Sequence, residues 1–401
     1  MSAPWLTVIG IGEDGLDGLS GVAKRALAEA QFVIGGKRHL ELAGSLSCET
    51  VSWPSPFAEG LKLIDARRGA ATVVLATGDP MCFGLGATLS RRYPADEMTV
   101  LPVPSAFSLA AARLDWPLEE VETLSVHGRP LDRLRAHLHP GARLLCLTSN
   151  AEAPRRAADL LADEGYGASR MTVLEHMGGA RERIVSGTAE SWHEEVADFH
   201  LLAIEAIAVR DTPVRSRLAG LPDDAFRHDG KITKREIRAA TLAKLAPHPG
   251  ALLWDIGAGS GSIAIEWMRA APRAKAIALE PDAGRRAFAI ANAAALGVPD
   301  LDLRDAAAPE GLDGLPVPDA IFLGGGLTAE GIVPAAIAAL KPGGRLVANA
   351  VTLESEAVLL KAYEAHGGEL CRLSIARAGR VGGFTGWRPL MPVTQWSFVK
   401  P

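Results

Sequence analysis

Trp254-Asp255-Ile256-Gly257-Ala258-Gly259-Ser260-Gly261 is the stretch that decides how this 401-residue chain reads. An apolar run, Ala251 to Ile256, leads into it, and a helical pattern, SIAIEWMRA, leaves it. Glycines at alternate positions remove Cβ atoms where a strand must turn sharply into a helix and a ligand must approach the backbone. The next strand, AKAIALE, ends in Glu280. A carboxylate at that strand tip can accept both hydroxyl protons of a ribose. The dinucleotide fingerprint is G-x-G-x-x-G, which seats a pyrophosphate on a helix N-terminus. Here the spacing is G-x-G-x-G, and the acid before it, Asp255, would repel a pyrophosphate but could bind a cationic amine. S-adenosylmethionine has an amine and a ribose and no phosphate. The loop therefore predicts a site for that methyl donor. A dinucleotide enzyme and a purely structural glycine turn are the alternatives.

Downstream, strands and helices keep alternating. Ala283 to Ala295 reads as a helix and LDLRD as a third strand; beyond it Asp305 or Ala306 could contact the adenine edge, with a solvated loop acid as the alternative for Asp305. DAIFLGGG is a fourth strand, and Gly324-Gly325-Gly326 at its end reads either as room for a bulky acceptor beside the methyl donor or as a purely structural turn. A helix over Ile332 to Leu340 and the strand GRLVANAV follow. No Pro-Pro dipeptide occurs, so the motif common in methylases of base amino groups is missing. Upstream, Thr233-Lys-Arg-Glu236 has capping-box spacing and predicts a helix to about Leu245. Glu266, within the helix after the glycine loop, could brace that loop, bind the donor's amine, or simply pack.

The first half is also α/β, with a different set of strand ends. Gly10-Ile-Gly12, Thr77-Gly78-Asp79-Pro80, Pro104-Ser105 and Ser149-Asn150 each stand at the end of an expected strand. Polar and glycine residues at successive strand ends mark the ligand crevice of an open α/β sheet. Helices are expected at Ala106 to Leu114 and Ala153 to Glu164, and sheets largely parallel and covered on both faces. From Arg210 to Thr233 the pattern breaks into Pro, Gly and Asp residues, which predicts a linker. The expected domains are 1–209 and 210–401.

Composition narrows the class. The net charge is −5, which provides no global attraction for nucleic acid or anionic membrane. No apolar run reaches the length of a membrane span. The four cysteines, Cys48, Cys82, Cys146 and Cys371, are too scattered for a zinc site or a disulfide framework. A cytoplasmic protein without a metal is expected, and no catalytic triad is visible.

Residues from about Thr7 to Val209 resemble the tetrapyrrole methylase family, with its Gly-x-Gly strand, Gly-Asp-Pro loop and Pro-Ser helix start. Residues from about Gly220 onward resemble the decarboxylating methylases of cobalamin synthesis: the Thr-Lys-x-Glu helix start, Asp-Ile-Gly-x-Gly-x-Gly, Glu266 and the Gly-Gly-Gly strand end. The order of the two resembles fused precorrin methyltransferases that act at two bridging carbons. One departure is Gly10-Ile-Gly12-Glu13-Asp14, where many relatives carry a proline. The resemblance implies an N-terminal tetrapyrrole methylase fold of two α/β subdomains, followed by a Rossmann-like class I methyltransferase domain. It implies S-adenosylmethionine in each domain, bound by Gly10, Gly12, Gly78, Asp79, Pro80, Pro104, Ser105 and Ser149 in the first. In the second the binding set is Thr233, Asp255, Gly257, Gly259, Ser260, Gly261, Glu280, Asp305, Ala306 and Gly324.

It also implies a precorrin substrate, two methyl transfers, loss of carbon dioxide from an acetate side chain, and a homo-oligomer. The macrocycle is itself the nucleophile, so positioning is the expected work of the protein, with Glu266, Gly325 and basic residues as candidates. A polycarboxylate substrate needs cations, and two basic stretches offer them. One contains Arg215, Arg217 and Lys234. The other follows Glu369, after which no acid occurs, and contains Arg377, Arg380 and Arg388. His228 and Tyr363 are candidate proton donors. An RNA methyltransferase and a non-catalytic nucleotide sensor remain the competing classes.

Overall fold

The computed structural model describes residues 4–401. The chain forms two compact units, Met1–Leu131 with His139–Thr212, and Asp132–Leu138 with Pro213–Pro401. The change of unit at Thr212 lies close to the expected linker. The short segment Asp132–Leu138 goes with the second unit, although its sequence position suggested the first.

The first unit holds two sheets. β1 (Leu6–Ile11), β2 (Phe32–Gly35), β3 (Glu49–Ser52), β4 (Thr72–Thr77) and β5 (Met98–Leu101) form an all-parallel sheet in the order β3-β2-β4-β1-β5. Its central strands are buried on both faces, as helix-covered parallel strands must be. β6 (Glu122–Ser125), β7 (Arg143–Leu147), β8 (Arg170–Glu175), β9 (Arg183–Thr188) and β10 (His200–Glu205) form the second sheet, in the order β6-β7-β10-β8-β9. Only β6 and β7 pair in parallel there; the other three pairs are antiparallel. The expectation of largely parallel sheets therefore holds for the first sheet and not for this one.

The second unit is built on seven strands. β11 (Leu252–Ile256), β12 (Lys275–Leu279), β13 (Asp302–Arg304), β14 (Ala320–Leu323) and β15 (Arg345–Ala350) run parallel. β16 (Glu369–Leu373), after which β17 (Ala376–Val381) and β18 (Phe384–Pro389) form a separate hairpin, and β19 (Val393–Val399) extend the sheet antiparallel. The order is β13-β12-β11-β14-β15-β19-β16. Alternate residues feed two cores: Trp254, Ile256, Ile321 and Leu323 on one face, Leu253, Ala320 and Phe322 on the other. Buried Trp254, Trp267 and Trp396 each donate their indole N–H to a carbonyl, at 3.1, 3.0 and 2.9 Å. Among the described residues, no helix is long and apolar enough to cross a membrane.

The helix expected from Thr233 spans Arg235–Leu245, and Lys234 is its N-cap without a side-chain bond. The capping box does not form. Glu236 is drawn outward to Arg377 (2.6 Å), and Thr233 lines a cavity instead.

Candidate active sites

In the second unit a cavity of about 840 Å³ opens at the C-terminal ends of β11, β12, β14 and β15. Its floor is the glycine loop. Gly257, Gly259 and Gly261 have φ of +72°, +57° and +78°, a region that L side chains enter only at a cost. A Cβ on Gly257 would lie 2.8 Å from the backbone of Gly325, so the two glycine runs pack backbone against backbone. The N–H groups of Gly257 and Ala258 both donate to the Leu279 carbonyl, at 3.0 and 3.1 Å. Asn292 secures the loop from behind by donating to the Ser260 carbonyl (3.0 Å).

Glu280 is 3% exposed and lines this cavity. Its Oε2 accepts from Gly259 N–H (2.8 Å) and its Oε1 from Asp282 N–H (3.0 Å). Each oxygen keeps a further lone pair for a ligand hydroxyl. Gly257, Gly259, Ser260, Ala306, Gly324, Gly325 and Thr233 share the lining. Lys231, Lys234 and Arg285 bring positive charge to it, with Arg285 also paired to Asp229 at 3.1 Å.

The first unit has a cavity of about 410 Å³ between the ends of β4 and the helix Ala106–Leu114, lined by Gly78, Asp79 and Ser105. Asp79 folds its own turn, accepting from Met81 N–H at 2.8 Å. Ser105 caps the helix through Ser108 N–H (3.1 Å). Gly10 is glycine because a Cβ there would overlap the Gly78 carbonyl. His39, which sequence reasoning missed, also lines this cavity. Burial, then the charge of Arg38, lowers its pKa to about 4. The ring is therefore neutral at pH 7. Its Nδ1 accepts from Gly36 N–H (3.2 Å), which leaves Nε2–H to donate to Thr77 Oγ1 (2.8 Å). Glu13, in the loop after β1, pairs with Arg38 and with His176 Nδ1 (2.8 Å).

Family models match in both halves. Residues 6–192 match Tetrapyrrole (Corrin/Porphyrin) Methylases, and residues 224–400 match the Precorrin methyltransferase domain. A precorrin-6Y C(5,15)-methyltransferase [decarboxylating] from Sinorhizobium sp is 54% identical over 400 residues, covering 99% of this chain and 97% of that protein. The chain belongs to the precorrin-6Y C(5,15)-methyltransferase (decarboxylating) family. A member from Mycobacterium tuberculosis (strain CDC 1551 / Oshkosh) is 44% identical over 397 residues, covering 98% of this chain and all of its own. The crystal structure of the C-terminal domain of precorrin-6Y C5,15-methyltransferase from Rhodobacter capsulatus is 44% identical, with a TM-score of 0.44. It covers 46% of this chain and 100% of its own.

Several residues expected at the sites of this methyltransferase stand elsewhere. Asp255 does not line the cavity. It is 1% exposed beneath the loop, where its Oδ2 accepts from Ala264 N–H (3.0 Å) and its Oδ1 has no partner. Burial, then the charge of Glu280, raises its pKa to about 7. Gly261 gives the loop its exit turn and also lies outside the lining. Glu266 is buried against Arg238 (2.6 Å) and accepts from the N–H groups of Gly220 (2.6 Å) and Leu221 (3.0 Å). It braces the approach to the domain rather than a ligand. Asp305 turns out to Arg286 (2.7 Å), leaving Ala306 at the cavity.

Of the six expected substrate cations, only Lys234 lines the glycine-loop cavity; Arg377 lines a separate hollow with Asp223, Asp224 and Glu236. Arg215 and Arg217 point to the carbonyls of Ala295 (3.5 Å) and Arg269 (3.3 Å). Arg377 is held by Asp223 (3.0 Å) and Glu236 (2.6 Å). Arg380 and Arg388 sit on the β17–β18 hairpin, where Arg388 donates to the Arg380 carbonyl. In the first unit, Gly10, Gly12, Pro80, Pro104 and Ser149 shape or flank the loops without lining the cavity. Ser149 accepts from Gly128 N–H (3.0 Å). His228 accepts from Gly230 N–H (2.9 Å), and neither it nor Tyr363 lines the glycine-loop cavity.

Proposed function

We propose that this chain is a bifunctional methyltransferase that uses S-adenosylmethionine in each unit. It methylates precorrin-6Y at carbons 5 and 15 and releases the ring C acetate carboxyl as carbon dioxide, giving precorrin-8X. The observation that carries the reading is Glu280, fixed by two backbone N–H groups at the floor of a cavity whose adjoining wall is bare glycine backbone. S-adenosylmethionine supplies a methyl group on a sulfonium. Glu280 accepts the ribose hydroxyls, Gly257 to Ser260 admit the nucleoside to the backbone, and Ala306 borders the base. Gly324 and Gly325 leave space for the acceptor ring. Lys231, Lys234 and Arg285 face its carboxylates. In the first unit Gly78, Asp79 and Ser105 serve the second donor site.

By the resemblance of each half, the second unit handles carbon 15 and the decarboxylation, and the first handles carbon 5. Self-association and a cytoplasmic location complete the reading. The hairpin supports the former, with Phe384 82% and Trp387 77% exposed on a two-stranded sheet that cannot bury them itself. Calorimetric titration with S-adenosylhomocysteine tests the donor assignment. Two sites per chain are expected, and Glu280→Gln weakens only one. A chain that binds none contradicts it.

A further inference from the structure

The charged lining residues of the second unit's cavity, Lys231, Lys234, Glu280 and Arg285, all precede β13 in the chain. From Asn349 onward its described lining residues are apolar, Val351, Ile375, Leu390 and Met391 among them, with Asn349 the sole polar side chain. Asn349 stands at the end of β15. Leu323 of β14 pairs with Ala348 of β15, so the residues that follow each, Gly324 and Asn349, lie side by side at the crevice. On its other flank Asn349 is the direct cross-strand partner of Gln395 in β19.

The orientation of its carboxamide is fixed by groups outside the cavity. Thr241, fully buried on the helix Arg235–Leu245, donates its hydroxyl proton to the Ile237 carbonyl (2.8 Å). Its oxygen can then only accept. Asn349 Nδ2 donates to it at 3.0 Å and Gln395 Nε2 at 3.0 Å. Gln395, also fully buried, donates its other proton to Asn349 Oδ1 at 2.9 Å. The flipped amide would set two acceptors against each other at Thr241. One N–H of Asn349 stays uncommitted, along with one lone pair of Oδ1. A network of this kind in a buried setting holds its geometry, because every alternative leaves a polar group unpaired.

We infer that Asn349 is a substrate-orienting residue of the second unit. Its uncommitted N–H donates to a carboxylate oxygen on an acidic side chain of the acceptor and holds that side chain against the apolar wall. Thr241 is a positioning residue that acts through it. The inference rests on the methyltransferase reading above. The cations of the cavity belong to residues 231–234 and the helix Ala283–Ala295, and Asn349 is the polar side chain that β15 and the segments after it bring to the lining.

The test uses the full chain, with Asn349→Leu, Thr241→Val and Thr241→Ser beside the unaltered protein. Affinity for S-adenosylhomocysteine is measured by calorimetry, and KM for precorrin-6Y by anaerobic turnover read as product mass. Asn349→Leu is expected to raise KM roughly 10- to 100-fold, the worth of a hydrogen bond to a charged group. Donor affinity stays within about twofold, since no donor contact is removed. Thr241→Val moves KM the same way, and Thr241→Ser, which keeps the acceptor, restores it. Unchanged KM in Asn349→Leu overturns the inference, as does an equal loss of donor affinity, which marks general collapse of the cavity. If Asn349→Leu does not fold, the Thr241 pair decides: equal KM in Val and Ser overturns it. Failure of the unaltered chain to methylate precorrin-6Y refutes the underlying reading and is seen before any variant is made.

Discussion

Replacing Asp255 with Asn should remove a pH dependence that the fold imposes on itself. The carboxyl lies beneath the nucleoside loop with one oxygen unpartnered, and its pKa rises from the usual 3.8 to about 7. Between those values the folded chain holds a proton there that the unfolded chain has released. Stability therefore falls as pH rises through this window, by about 1.4 kcal/mol per pH unit. From pH 5 to pH 8 the window spans about two units, so the loss is about 3 kcal/mol. Asn cannot ionise. It keeps the bond from Ala264 N–H and sets an amide where Oδ1 is orphaned, at a cost of about 1–3 kcal/mol that does not vary with pH. The stability difference between variant and parent should thus move by about 3 kcal/mol in the variant's favour between pH 5 and pH 8. Taking the difference cancels the titrating groups that do not interact with Asp255. Urea unfolding followed by tryptophan fluorescence reads it, since Trp254 and Trp267 are buried in the same unit. A difference that is flat across this range refutes the argument.

Glu280→Gln keeps the shape of the ribose acceptor and removes its charge, so donor affinity in the second unit should drop roughly tenfold by calorimetry. Arg238→Met leaves Glu266 buried without its cation and should destabilise the second unit by about 3–5 kcal/mol in urea unfolding. Gly257→Ala brings a methyl to 2.8 Å from Gly325 at a φ of +72°, and should weaken S-adenosylhomocysteine binding in the second unit, read by calorimetry.

The glycine loop and Glu280 were legible because each is a local necessity: alternate glycines at a strand end permit few backbones, and the acid closes the next strand. Helix bounds such as Ala283–Ala295 and Ala106–Leu114 were legible for the same local reason. The tail after Glu369 was not. Its arginines read as free cations, yet Arg377 meets Asp223 and Glu236, acids far away in sequence that charge counting cannot pair with it. The tail forms strands, and one signal for them was present: Gly382-Gly383 separates β17 from β18, the spacing of a two-residue hairpin. Asp255 misled because an acid next to a glycine loop reads equally well facing the ligand or the core. Strand alternation settles it, since Trp254 and Ile256 pack on one face and leave Asp255 on the other. His39 and Asn349 had no motif to announce them. Their roles depend on Thr77 and on Thr241 with Gln395, partners that only the folded chain brings near.

The central claim is that one chain performs two methylations and a decarboxylation. Product mass after anaerobic incubation of the full chain with S-adenosylmethionine and precorrin-6Y tests it most directly. Gain of two methyl groups with loss of one carbon dioxide is the predicted result. An unchanged mass, from a folded chain that binds the donor, would contradict it.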